Sequence, residues 1–198
     1  MLIDTEHLHH WMQAIRKSPD PMRTMDAFWS GQIKSKEWLI DNLQAYITKP
    51  VTVDIHGGWV GVLASMLFQS SLPIKNIRSI DIDFHVQDTA NNMNKSEEIQ
   101  GKFHALMANM CEIHSDYDVI INTSCEHISQ EQYDTWLNNQ SANSLLVLQS
   151  NNYKIDEHIR TADSLEEFVT QSHIDVYKSG SLELPTYTRY MLIGKKLT

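Results

Sequence analysis

Three glycines fall within the segment Asp54-Ile-His-Gly-Gly-Trp-Val-Gly61, directly after the apolar run Val51–Ile55. Glycine lets a backbone turn sharply and lets a ligand approach the chain closely, and a helix opening behind such a turn directs N–H groups towards that ligand. On its own, the segment is a strand-to-helix turn with convenient glycines. A second apolar run ends in Ile80-Asp81-Ile82-Asp83, and a carboxylate at that position can accept from both hydroxyls of a ribose. Asp81 is the first choice for that role and Asp83 the second. The alternative is an acidic turn capping the next helix; the two segments together favour the ribose. The glycine segment then becomes a ligand-holding loop whose contacts come from Asp54, His56, Gly57, Gly58, Trp59 and Gly61.

Other reactive side chains carry less. Ten histidines and two cysteines invite a zinc site, but no Cys-x-x-Cys or paired ligand spacing is present, so no metal is expected. His7 and His10 can share a helix face; solvated or core histidines account for them better. Cys125 stands two residues from His127, and a buried reduced thiol is a better reading than a nucleophile. Trp11, Trp29 and Trp38 read equally as helix-packing core or as a lid over an apolar pocket. Within Phe28–Trp38, Trp29, Gln32 and Lys36 are candidates for contacting a substrate.

These residues need elements to position them. Residues 1–48 read as a helical extension. One helix spans about 5–17, with Leu8, Trp11, Met12 and Ile15 at helical spacing. A second, after Pro19 and Pro21, carries Met22, Met25, Trp29 and Ile33. A third is capped by Ser35 and holds Trp38, Leu39, Leu43 and Tyr46. From 49 to 198 short β-rich runs alternate with helical ones. The strands are expected at 51–55, 77–82, 103–107, 119–122, 145–149, 173–177 and 189–194. Ser129 to Gln132 is a capping-box pattern, and Ser164 starts another helix. Strand–helix–strand alternation implies parallel strands with right-handed crossovers. The last two strands lack a helix between them and should pair as an antiparallel hairpin.

Composition narrows the function classes. The 198 residues are 41% hydrophobic, enough for a full core, and carry a formal net charge of −9. An acidic chain with scattered lysines and arginines counts against nucleic acid as substrate and leaves a small molecule as the expected partner. No apolar run approaches the ~20 residues of a membrane span. The first residues have no basic-then-apolar pattern, so a cytoplasmic location is expected. Nothing in the sequence sets an oligomeric state.

In order and spacing, these segments resemble a class I S-adenosylmethionine-dependent methyltransferase. Asp54 with Gly58 stands where that family has its acidic residue and glycines, although His56 and Val60 occupy positions where glycine is usual. Ile80-Asp81-Ile82-Asp83 is similar to its second motif, Ala108-Asn109-Met110 to its adenine-contacting segment, and Asp118 to Ile128 to its fourth strand with the following Glu-His-Ile. The resemblance covers about residues 50–198. It implies an α/β, Rossmann-like three-layer sandwich with a mostly parallel seven-stranded sheet and an antiparallel C-terminal hairpin, preceded by the helical extension. It implies S-adenosyl-L-methionine as cofactor, with the backbone at His56–Gly58 on its methionine part, Asp81 and Ile82 on the ribose side, Asn109 and Met110 around the adenine, and Asn122 and Thr123 near the reacting methyl. His127 or Glu126 is then the candidate base. Asn151, Tyr187 and Arg189 lie where family members build substrate contacts. Rival readings keep the fold but cleave the cofactor or transfer an aminopropyl-type group, or make the chain a non-catalytic adaptor. A nicotinamide oxidoreductase is disfavoured because Gly-x-Gly-x-x-Gly is absent.

Overall fold

The computed structural model describes residues 5–197. The chain packs as two compact units, one ending at Ala108 and the other starting at Asn109.

The first unit holds α1 (Thr5–Lys17), α2 (Pro21–Asp26), α3 (Ser30–Leu43), β1 (Val51–His56), α4 (Val62–Phe68), β2 (Ile74–Asp81), α5 (Gln87–Met93), α6 (Lys95–Ile99) and β3 (Phe103–Met107). Its strands are parallel, with β2 between β1 and β3. Their buried runs supply the core: Ile55, Ile77, Ile80, Leu67 and Met93 are almost fully enclosed, as are Leu39 and Leu43 of α3. The N-terminal helices belong to this unit. Trp11 of α1 donates from Nε1 to Ser65 Oγ at 2.8 Å, and His7 Nε2 lies 3.1 Å from Glu97 Oε1.

The break between the second and third helices differs from the sequence expectation. Asp20 accepts from Arg23 N–H and Pro21 occupies the first helical position, so α2 starts as its residues dictate. It is short, however, and α3 runs unbroken from Ser30 through Gly31 and Ser35. Ser35 is 2% exposed inside that helix. Burial of the face holding Ser35, Leu39 and Leu43 outweighs the weak local preference of Gly31 and Ser35 to break it.

The second unit holds β4 (Val119–Asn122), α7 (Gln130–Asn138), β5 (Leu145–Asn151), α8 (Leu165–Ser172), β6 (Ile174–Glu183) and β7 (Thr188–Lys196), with 3-10 turns at Met110–Glu112 and Cys125–His127. The β4 and β5 strands are parallel; β7 is antiparallel to both β5 and β6. Tyr133, Trp136, Phe168, Ile120, Leu146, Leu148 and Leu192 form its core. Ser129 and Gln132 close the expected capping box on α7. Ser164 caps α8 through Glu167 N–H. The hairpin is longer than the sequence suggests: Gly180 lies inside β6, and the turn is made at Leu184–Tyr187. The strands run in the orders β3-β2-β1 and β4-β5-β7-β6 within their units, the mixed sheet of seven strands with an antiparallel C-terminal hairpin that the sequence implies. Among the described residues no helix is long and apolar enough to cross a membrane.

Candidate functional site

In the first unit the glycine loop is shaped by packing at two positions. A Cβ on Gly58 would stand 1.9 Å from Ser79 Oγ, and Gly58 N–H donates to Ile80 O at 2.9 Å, carrying the β1–β2 pairing into the loop. Gly61 has φ +80°, and a Cβ there would meet Asn94 Nδ2 at 2.6 Å. The same Asn94 amide donates to Gly61 O at 3.0 Å. Gly57 (φ +70°) and Trp59 (φ +49°) are also left-handed, so Trp59 holds a conformation that side chains other than Gly, Asn and Asp seldom take.

Asp81 is tied to this loop. Its Oδ2 accepts from Trp59 N–H at 2.8 Å and its Oδ1 from Asp83 N–H at 3.0 Å. Each carboxylate oxygen therefore has one donor from the protein and a lone pair in reserve. Ile82 beside it is 71% exposed. Asp83 instead accepts from the Arg23 guanidinium at 2.5 Å and from His85 N–H at 2.9 Å. The Arg23 hydrogen bond holds the Asp83 carboxyl below its ordinary range, against a smaller opposing effect of burial.

Asp54 looks inward. It is fully buried and accepts from Arg78 Nε at 2.9 Å, while His56 Nε2 lies 3.0 Å from its Oδ2. Residues two apart on a strand share a face, which is why His56 reaches Asp54. Sequence spacing did not reveal Arg78. Trp29 is 70% exposed, and Lys36 Nζ donates to Gln32 Oε1 at 2.8 Å along α3.

In the second unit the chemistry-bearing residues cluster at the ends of β4, β5 and β7. Asn109 caps its 3-10 turn, accepting from Cys111 N–H at 3.1 Å, and donates to Glu112 Oε1 at 2.9 Å. Asn122 is buried, its Oδ1 accepting from Ser124 N–H at 2.9 Å and its amide 3.9 Å from Met110 Sδ. Cys125 is fully enclosed, and burial pushes its thiol up to about 12. That suits the inert thiol expected from sequence.

Glu126 is 2% exposed. Its Oε1 accepts from Arg189 Nη1 at 2.7 Å and from Asn151 Nδ2 at 2.5 Å. Arg189 also donates from Nη2 to Thr123 O at 2.6 Å. Three residues that the sequence distributes between catalytic and substrate roles thus form one buried network. His127 is exposed, its Nδ1 3.1 Å from Glu157 O. Its ring meets that of His158 edge-on, with centroids 4.6 Å apart. Tyr153 packs on both His158 and Tyr187, and burial raises the Tyr187 phenol. His158 is not among the residues expected from sequence, whereas Tyr153 closely follows the expected Asn151 at the end of β5. One signal was there: a Glu-His dipeptide follows β4 (Glu126-His127) and recurs after β5 (Glu157-His158).

The strand order and the paired ends of β1 and β2 define the class I S-adenosylmethionine-dependent methyltransferase fold, and solved structures bear this out. The chain is similar to a magnesium protoporphyrin IX methyltransferase (ChlM) from Synechocystis PCC 6803 with bound SAH, with TM-score 0.67 and 13% identity over 98% of this chain and 95% of that one. It is similar to the pyocyanin biosynthetic protein PhzM, with TM-score 0.67 and 14% identity over 94% of this chain and 62% of that one. It also resembles the B. subtilis M1A22 tRNA methyltransferase TrmK, with TM-score 0.59 and 12% identity over 80% and 65%. At these identities the likeness is one of fold. No protein-family model matches the chain, and no curated protein sequence does.

Proposed function

We propose that the chain binds S-adenosylmethionine and transfers its methyl group to a small-molecule acceptor. The observation that carries this reading is Asp81: a carboxylate at the end of β2, held by the Trp59 and Asp83 N–H groups, with acceptor capacity left on both oxygens. That donor–acceptor balance fits a ribose diol. Exposed Ile82 offers an apolar surface to an adenine. Asp83, drawn to Arg23, is the weaker ribose partner. The backbone from His56 to Gly58, with Trp59 and Gly61, contacts the methionine end. Asp54, already neutralised by Arg78, shapes this loop from beneath. Asn109 and Met110 serve the adenine side, and Asn122 and Thr123 the reacting end.

When bound, the cofactor supplies a methyl group on a positively charged sulfur that leaves neutral. The protein then has to position the acceptor and, for a protonated acceptor, remove its proton. His127 is exposed enough to do the second. Glu126, buried on Arg189 and Asn151, acts in this reading by fixing the 3-10 turn that carries His127. Tyr187, beside Tyr153, gives the acceptor an aromatic wall, and Trp29, Gln32 and Lys36 are the substrate contacts offered by the helical extension. ChlM, too, is a methyltransferase of a small molecule, magnesium protoporphyrin IX, and the net charge of −9 disfavours a polyanionic acceptor.

Calorimetry tests the cofactor assignment. Wild-type protein should bind S-adenosylmethionine and S-adenosylhomocysteine, and Asp81→Ala should lose measurable binding while staying folded by circular dichroism. Unchanged affinity in the folded variant would overturn the ribose assignment. Release of S-adenosylhomocysteine, rather than a cleaved adenosyl fragment, separates methyl transfer from other chemistry on this fold.

A further inference from the structure

We infer that Glu126, His127 and His158 form a binding site for a divalent transition cation of the zinc class. The three side chains each present a ligand-capable atom, and these atoms lie within 4.8 Å of one another. Ligands about 2.1 Å from one tetrahedral ion stand about 3.4 Å apart. The set must therefore tighten by up to about 1.4 Å on binding.

Two independent features favour a cation over an accidental cluster. The first is the carboxylate. Glu126 is 2% exposed, its Oε1 is occupied by Arg189 and Asn151, and its Oε2 has no hydrogen-bond partner among the described residues. A buried carboxylate oxygen left without a partner is costly. A cation would satisfy it, with Arg189 and Asn151 as the outer groups that orient a ligating carboxylate.

The second feature is the imidazoles. His127 Nδ1 is 3.1 Å from Glu157 O, and His158 Nδ1 is 2.6 Å from Tyr153 O. A carbonyl only accepts, so each Nδ1 carries the proton and each Nε2 keeps a lone pair. Metal-ligating histidines are held in this way, with one ring nitrogen donating to a backbone carbonyl and the other facing the ion. Two imidazoles and one carboxylate, with room for an exchangeable fourth ligand beside exposed His127, make the donor set of an open zinc site. Magnesium and calcium prefer all-oxygen surroundings.

Cation binding at this cluster does not depend on methyl transfer. Where both hold, the cation takes the Nε2 lone pair of His127 that would otherwise accept a proton, and an acceptor hydroxyl bound to it would ionise more readily.

The test uses the full chain, stripped with a chelator and titrated with Co2+. A visible absorption band should grow to saturation at one equivalent and be displaced by Zn2+ but not by excess Mg2+. His158→Ala should weaken Co2+ binding by more than about 100-fold, and His127→Ala/His158→Ala should abolish the band with the circular dichroism spectrum retained. His9→Ala/His10→Ala, whose rings are 6.3 Å apart on α1, should keep it. No saturable band in the wild type, displacement by Mg2+, or a band surviving in the folded double variant at positions 127 and 158 would overturn the site. S-adenosylmethionine calorimetry on the stripped wild type reads the methyl-transfer proposal separately.

Discussion

Arg189 places its guanidinium on the carboxylate of Glu126, Nη1 to Oε1 at 2.7 Å, with both side chains almost wholly removed from water. One residue comes from β7 and the other from the 3-10 turn after β4, so the pair joins segments 63 residues apart.

Breaking this pair should be expensive. Arg189→Met leaves Glu126 charged and buried, and should destabilise the protein by about 3–5 kcal/mol. Arg189→Met/Glu126→Gln removes the stranded charge and should recover much of that loss. Urea unfolding of both variants checks the difference; equal stability of the two would contradict it.

The two loop glycines should not respond alike to a methyl group. In Gly58→Ala the new Cβ meets chiefly the Ser79 hydroxyl, which can rotate away, so about 1 kcal/mol is expected. In Gly61→Ala it meets Ala90 backbone and the Asn94 amide at a φ of +80°. Strain and crowding together should cost about 2–4 kcal/mol. Thermal unfolding should therefore rank Gly61→Ala clearly below Gly58→Ala, and Ser79→Gly should rescue only the latter.

Cys125 should resist alkylation in the native state. Burial lifts its thiol to about 12, above its ordinary value of 9.0. At pH 8 it stays protonated folded or unfolded and adds no pH dependence. Between about 9 and 12 the unfolded chain ionises first, so stability falls as pH rises through that window. Iodoacetamide at pH 8 followed by peptide mass spectrometry should leave Cys125 unmodified until urea is added. Cys125→Ser should lessen the alkaline loss.

Much of the scaffold can be read from local pattern. The capping residues Ser129 and Gln132, the turn residues of the glycine loop and the helix-free step between β6 and β7 act over a few positions, and each produced the expected element. Local pattern places the break between α2 and α3 too late, because Gly31 and Ser35 are punctuation only when exposed, and burial of Ser35 overrides it. The clustered residues were less legible. Asp54 is recognisable as an acidic residue before glycines, but its partner Arg78 emerges only from cross-strand register. His158 reaches His127 because the chain after β5 folds back on the turn after β4, and no periodicity records such a return.

The Arg78–Asp54 pair has a consequence for strand alignment. Asp54 and Arg78 are direct partners in the parallel β1–β2 ladder, in line with Ile55 opposite Ser79 and His56 opposite Ile80. Sliding β2 by one residue would turn Arg78 to the opposite face and take its guanidinium away from a buried carboxylate. The charge pair therefore works as an alignment key. By forbidding the slipped pairing it fixes how far β2 extends past β1, and so where Asp81 stands beneath the Trp59 amide.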